Sequence, residues 1–239
     1  NDTLYGAGGD DTLDGGTGSD TITSGSGSDT IVIRSGDGGS TQSDGDTLTD
    51  FTDGTDSIGL DSSLSFTDLT VQQSGNDTLI KEGSSFLLTL TGITASNITA
   101  LDFQSTSTSN QTFNGTSGND VFVGGAGNDT FNGGAGSDTL VGWGGDDTFN
   151  IASKSGSYTD TIEAGSGTDI LNINYTGMSS FSSITYDGRY VAGGTWTFVD
   201  NNNGKINATN FETLSIDSVT YQIIYANNNQ GDVRSDIHN

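Results

Sequence analysis

The sequence predicts an all-β chain folded as two parallel β-rolls, each followed by an antiparallel β tail, and three observations carry that expectation. Asp120, Asp129, Asp138 and Asp147 recur every nine residues, and Asp2, Asp11, Asp20 and Asp29 keep the same interval at the start of the chain. Each is followed two residues later by one large apolar residue: Phe122, Phe131, Leu140 and Phe149 in the later block, Leu4, Leu13, Ile22 and Ile31 in the earlier one. Glycine fills the interval, and no window of useful length carries apolar residues at the three and four spacing of an amphipathic helix.

The elements follow in order. A nonapeptide read as six turn residues and a three-residue strand lets two copies close one coil, so that residue i lies beside residue i+18 at a strand spacing of ~4.8 Å. After Ile33 the frame loosens: in "DGDTLTDFTDGTDSIGL", Asp46 and Asp56 still precede Leu48 and Ile58 by two residues, but stand ten apart. The segments "LTVQQ", "DTLIKEG" and "FLLTLTGI" then read as antiparallel strands, with Phe86, Leu88 and Leu90 on one face of a half-buried strand. The small polar stretch "QSTSTSNQT", residues 104–112, reads as a linker between two modules, 1–111 and 112–239. In the second module "SYTDTIEAGSGTDILNI" places Asp160 and Asp169 nine apart, two residues before Ile162 and Leu171, which continues the coil. Its tail is expected from the Asp-Gly turn of "YDGRY", from Trp196 and Phe198 alternating in "TWTFV", and from Val219, Tyr221, Ile223 and Tyr225 in "VTYQIIY".

Stacking the coils pairs Asp2 with Asp20, Asp11 with Asp29, Asp120 with Asp138 and Asp129 with Asp147. At ~5 Å in an effective dielectric of 20 such a pair repels by roughly 3 kcal/mol unless a cation lies between the carboxylates. Calcium takes six or more oxygens, and glycine lets main-chain carbonyls turn inward where a Cβ would obstruct them. Burying one apolar side chain contributes roughly 1.5 to 3 kcal/mol, whereas ordering nine backbone residues costs on the order of 9 to 18 kcal/mol. Ladder hydrogen bonds and metal must supply the difference, so folding is expected to be coupled to calcium. The candidate ligands are the eight aspartates above together with Asp46, Asp56, Asp160 and Asp169. Magnesium suits such a turn less because it demands rigid octahedral geometry, and zinc or copper would have one histidine, His238, and no cysteine to bind. A flexible acidic linker has no reason to hold both the aspartate and the apolar residue in phase.

Composition limits the partners. Among 239 residues, 31 acidic side chains stand against six basic ones, for a formal net charge of −25, which repels nucleic acid and anionic membranes. With 30% hydrophobic residues and 37 glycines the chain cannot build a thick conventional core, and with no cysteine it has no disulfide to compensate. No stretch is long and apolar enough for membrane insertion, and the first residues are repeat rather than a cleavable signal.

The frames "GAGGDDTLD", "GGTGSDTIT", "GGAGNDTFN" and "GGAGSDTLV" resemble the GGxGxDxUx nonapeptide of the RTX family, a calcium-binding parallel β-roll, and eight copies keep that phase. The resemblance covers about half the chain and implies export through a type I system with a C-terminal signal, folding outside the cell, and a secreted, extracellular or bacterial cell-surface location. It does not name an activity, since proteases, lipases, epimerases, toxins, adhesins and surface-layer proteins share the repeat. Neither an HExxH helix nor a GxSxG elbow is present, so the expectation is a non-enzyme: a structural or adhesive segment of an adhesin, surface layer or fibre. The alternative is a non-catalytic appendage of a polysaccharide-active enzyme. Arg34, Lys81, Lys154, Arg189, Lys205 and Arg234 are scattered singly, so a surface polysaccharide of anionic type would be held only through calcium, and Trp196, Tyr186 and Tyr190 read as strand packing. Asn1 enters in the middle of a nonapeptide, while the last nine residues keep Gly231 first and Asp236 sixth in the frame. Two expectations follow: excision from a longer repetitive protein, or head-to-tail assembly of copies into a filament.

Overall fold

A computed structural model of the chain describes residues 1–174, 181–186, 194–216 and 219–222, which form two compact units, Asn1–Ser107 and Thr108–Asn239. In the first unit the strands are β1 (Thr3–Tyr5), β2 (Thr12–Asp14), β3 (Thr21–Thr23), β4 (Thr30–Ile33), β5 (Asp46–Leu48), β6 (Ser57–Leu60), β7 (Leu69–Ser74), β8 (Asp77–Glu82), β9 (Ser85–Leu90) and β10 (Phe103–Ser105). The second holds β11 (Thr112–Asn114), β12 (Val121–Val123), β13 (Thr130–Asn132), β14 (Thr139–Val141), β15 (Thr148–Ala152), β16 (Thr159–Glu163) and β17 (Ile170–Asn174). It continues with β18 (Phe181–Tyr186), β19 (Trp196–Asp200), β20 (Lys205–Thr209), β21 (Thr213–Ile216) and β22 (Val219–Gln222). Short 3-10 turns are the sole helical elements among the described residues, and none of the described helices is long and apolar enough to cross a membrane.

Successive nonapeptides alternate between two sheets, which is what two copies per coil require. In the first unit the orders are β1-β3-β5-β9-β8-β7 and β10-β6-β4-β2; in the second they are β11-β13-β15-β17-β21-β22 and β12-β14-β16-β20-β19-β18. The repeat strands pair in parallel with the expected offset, Thr3 against Thr21, Thr12 against Thr30 and Thr130 against Thr148. The apolar residues stack in columns inside the roll: Leu4, Ile22 and Leu48; Leu13, Ile31 and Ile58; Phe113, Phe131, Phe149 and Leu171; Phe122, Leu140 and Ile162. Phe131 and Phe149 are fully buried, and the rings of Phe113, Phe131 and Phe149 stack with successive centroids 4.8 Å apart, the repeat of the ladder itself.

Later coils keep the stacking but not the spacing. Thr21 pairs with Thr47 and Thr30 with Ser57, because residues inserted after Ile33 loop out between them. Thr139 pairs with Thr161 and Thr148 with Ile170, an offset of 22 rather than 18. The tails grow out of the rolls: β9 and β10 continue the parallel sheets of the first unit and β20 and β21 those of the second, after which β8 and β7, β19 and β18, and β22 add antiparallel.

Two sequence expectations change. β9 is buried on both faces rather than one, with Leu87 and Leu88 each 1% exposed. The inserted residues fold over it, and the Phe86 N–H donates to the Gly39 carbonyl at 2.8 Å. The stretch read as a linker begins as strand β10, where Gln104 donates from Nε2 to the hydroxyls of Thr30 and Ser57, both at 2.7 Å. Trp196 and Phe198 do share a buried face and join the core of the second unit. The hairpin residues 187–190, with Arg189 and Tyr190, lie outside the described residues, as do Ile223, Tyr225, Arg234, His238 and the terminal frame from Gly231.

Candidate metal centre

The twelve aspartates singled out by the period stand in columns along the edges of the rolls, one coil above the next. Within a column eight of the carboxylates use Oδ1 to accept the main-chain N–H of the aspartate one coil earlier, and Asp129 Oδ1 accepts that of Gln111 at 2.7 Å. The donors and acceptors are Asp11 to Asp29 at 2.9 Å, Asp20 to Asp46 at 2.9 Å, Asp29 to Asp56 at 3.1 Å, and Asp2 to Asp20. In the second unit Asp120 donates to Asp138 at 3.1 Å, Asp129 to Asp147 at 2.7 Å, Asp138 to Asp160 at 3.0 Å and Asp147 to Asp169 at 2.8 Å. Half of each of these carboxylates thus meets a positive partial charge from the fold itself, which relieves part of the repulsion that bare stacking implies.

The second oxygen sorts the columns. Oδ2 of Asp11, Asp20, Asp29, Asp147 and Asp169 is buried without a hydrogen-bond partner. Oδ2 of Asp56, Asp120 and Asp129 instead accepts a main-chain N–H four residues earlier, from Thr52 at 2.8 Å, Thr116 at 2.7 Å and Gly125 at 3.2 Å. Asp138 and Asp160 meet a lysine: Lys154 Nζ lies 2.8 Å from Asp138 Oδ2 and 2.7 Å from Asp160 Oδ1. Asp2 is exposed, and Asp46 turns Oδ2 toward the same place as Asp20.

Glycine makes the room in front of these oxygens. A Cβ on Gly15 would stand 2.8 Å from Asp20 Oδ2 and 2.9 Å from Asp46 Oδ2; one on Gly124 would stand 2.6 Å from Asp129 Oδ2 and 2.8 Å from the Gly142 carbonyl. At Gly142 the space is bounded by Asp147 Oδ2 and the Ala164 carbonyl. Carboxylate and carbonyl oxygens therefore converge where a side chain would otherwise stand. Among the described residues no three His, Cys, Asp or Glu side chains gather as a metal cluster, so such a turn draws the rest of its oxygens from the main chain. Orphaned hard oxygens beside main-chain carbonyls fit calcium and do not fit a thiophilic or imidazole-seeking metal.

Electrostatics points the same way. Burial pushes the carboxyls of Asp46, Asp147 and Asp169 up to about 7, against the pull of the N–H each accepts. Burial also raises Asp129, and it raises Asp160 despite the opposing Lys154. A carboxylate held in such a place lacks a countercharge.

Three features escaped the sequence reading. Glu212 takes the aspartate position above Asp169, accepting its N–H at 2.8 Å on Oε2. Its signal was present, since Glu212 precedes Leu214 by two residues as every repeat aspartate precedes its apolar partner. Asp50 caps a turn by accepting from the N–H groups of Ser24 and Gly25, both at 2.9 Å. The residue before most of the repeat aspartates builds a second ladder of opposite direction. Ser28 N–H donates to Asp10 at 2.9 Å, Ser137 to Asn119 at 2.8 Å, Asp146 to Asn128 at 3.0 Å and Thr168 to Asp146 at 2.8 Å. The recurring Asn-Asp, Ser-Asp and Asp-Asp pairs were that ladder in the sequence.

A family model described as the RTX calcium-binding nonapeptide repeat matches in four copies, over residues 1–31, 114–149 and 155–172. Among solved structures, the extracellular lipase LipA from Serratia marcescens aligns over 84% of this chain and 36% of its own, at 16% identity and a TM-score of 0.27. No curated protein matches the chain.

Proposed function

Because the chain carries RTX calcium-binding nonapeptide repeats, we propose that it is a calcium-folded structural or adhesive segment of a secreted bacterial cell-surface protein. The observation behind this reading is the set of buried, unpartnered carboxylate oxygens, those of Asp11, Asp20, Asp29, Asp147 and Asp169, of which the first two and Asp147 face Gly6, Gly15 and Gly142. With Asp46 and main-chain carbonyls such as those of Ser24, Gly142 and Ala164, they are the atoms that would hold calcium. The ion supplies the countercharge that the turns lack. The residues supply the rest: Oδ1 clasps the coil before, the preceding Asn, Ser or Asp clasps the coil after, and the apolar column excludes water.

A structural role is supported by how the acids are employed. The nine buried repeat aspartates each bond main chain of another coil through Oδ1, so they hold coils together rather than standing free for acid–base chemistry. The appendage alternative, on an enzyme acting on an anionic polysaccharide, needs free cations. Lys154 is buried between two carboxylates and Arg34 pairs with Asp14 and Asp37, so among the lysines and arginines of the described residues Lys81 and Lys205 are left, each standing singly. Extracellular calcium suits sites of 10⁻⁴–10⁻³ M affinity, on the order of those in extracellular modules.

The test is a calcium titration of the chelated chain followed by far-ultraviolet circular dichroism, with magnesium at equal ionic strength as control. Sheet signal should rise with calcium and not with magnesium. A full native spectrum in excess chelator would show that the metal only decorates a preformed fold. Antibodies to the chain should decorate intact producing cells; labelling confined to lysates would remove the surface location.

A further inference from the structure

Within its repeat strands, β11 to β17, the second unit departs from its period at one place. Between Asp138 and Asp160, and between Asp147 and Asp169, the column offset is 22, four residues more than the regular coil. The additional residues fall between Ile151 and Tyr158 and carry Lys154. This lysine turns inward. Its residue is 8% exposed, and Nζ contacts four oxygens: Asp138 Oδ2 at 2.8 Å, Asp160 Oδ1 at 2.7 Å, Asp160 Oδ2 at 2.8 Å and the Gly136 carbonyl at 3.0 Å. The Tyr158 ring, itself buried, covers the other side with its centroid 4.9 Å from Nζ.

We propose that Lys154 is a tethered cation standing where the other turns take calcium, so that the Asp138–Asp160 turn closes without metal and excludes it. The inference rests on the calcium reading of those other turns. Its ligand set has the character of a calcium turn: one carboxylate from each of two successive coils, and a main-chain carbonyl from the glycine-rich turn just before Asp138. Oδ2 of Asp147 and Asp169, in the neighbouring column of the same coils, is orphaned, whereas Asp138 and Asp160 have found their countercharge. Calcium–oxygen bonds of about 2.3 to 2.6 Å would bring the ion onto the oxygens that Nζ already holds, so ammonium and ion cannot both occupy the cup. An ammonium offers three donors and one charge; the Asp138 N–H on Asp160 Oδ1, at 3.0 Å, adds a further donor to the pair.

The consequence concerns order of folding. A turn that carries its own cation can join β14 to β16 before any calcium arrives, and it presents a formed coil on which the Asp129–Asp147–Asp169 column is completed. The insertion is then the device that delivers the charge: a regular nonapeptide has no residue long enough, at the right place, to reach back into the turn.

Hydrogen exchange read by mass spectrometry on the whole chain, in chelator and in saturating calcium, tests this without any substitution. Amides of residues 136–140 and 159–163 should stay protected in chelator, while those of residues 11–20 and 142–147 lose protection and recover it with calcium. The substitution Lys154→Gln should abolish the chelator-resistant protection and let the chain bind one more calcium ion, counted by native mass spectrometry. If the Asp138 turn of the unsubstituted chain responds to calcium as the other turns do, the tethered-cation assignment is wrong and the calcium reading stands. If no segment responds to calcium, both fall. Unchanged stoichiometry in a folded Lys154→Gln chain also overturns it.

Discussion

At the residue scale, a repeat aspartate such as Asp147 divides its work between two oxygens, and a facing glycine decides what the second can reach. Oδ1 of Asp147 accepts the Asp129 N–H at 2.7 Å and so belongs to the ladder, while Oδ2 faces the space beside Gly142. A Cβ on Gly142 would press on both Asp147 Oδ2 and the Ala164 carbonyl, filling the place where oxygens converge. The substitution Gly142→Ala should therefore remove one calcium from the native-mass-spectrometry count and cost about 1 to 3 kcal/mol, the usual penalty of overpacking. Gly118 provides the contrast, because a Cβ there would meet nothing nearer than Thr116 Oγ1 at 3.7 Å. Gly118→Ala should leave both stoichiometry and denaturation midpoint unchanged. Equal effects from the two substitutions would mean that glycine serves turn flexibility rather than room for an ion.

At the element scale, the three-residue strands are too short to be stable alone, and the columns inside the roll hold them. The Phe113, Phe131 and Phe149 stack places one ring on each successive strand of a sheet, with Phe131 fully buried in the middle. Phe131→Ala should cost about 3 to 5 kcal/mol in denaturant melts at saturating calcium. A loss below about 1 kcal/mol would show that the rings are passengers of a roll held by its turns. This much of the fold was legible in the sequence, because the roll needs both a turn acid and an inward apolar residue in every coil, so both leave a period. The frame of Asp46, Asp56, Asp160 and Asp169 could be followed across insertions for the same reason. What the insertions do could not be read. Nothing local in "ASKSGSY" says that Lys154 folds back onto Asp138, sixteen residues away, and nothing in residues 36–45 says that they cover β9. Nor does spacing report direction: the stacking of Asp129 on Asp147 was expected as a carboxylate pair, whereas the main chain of one bonds the side chain of the other. Contacts between main chain and side chain leave no periodic mark beyond the residue type itself.

At the scale of the whole molecule, the acids that build the roll also make the metal-free chain sensitive to pH, in a direction opposite to that of carboxylates whose pKa folding lowers. Burial lifts Asp46, Asp147 and Asp169 to about 7, well above the ordinary carboxylate value of 3.8. Between those values the folded chain holds protons that the unfolded chain has released, so stability must fall as pH rises through that interval. Below the unfolded value the penalty is absent; above the folded value it is complete. The formal net charge of −25 acts in the same direction, since every further ionisation adds repulsion within a compact body. Calcium reverses the slope, because ion and proton compete for the same oxygens and the ion wins more readily as pH increases. In excess chelator the thermal midpoint should therefore be higher at about pH 5 than at about pH 8, and in saturating calcium that order should disappear or invert. Paired scans at the two pH values, with and without calcium, measure both slopes. A chelated chain more stable at about pH 8 than at about pH 5 would mean that the buried carboxylates find another countercharge within the fold, as Asp138 and Asp160 do in Lys154.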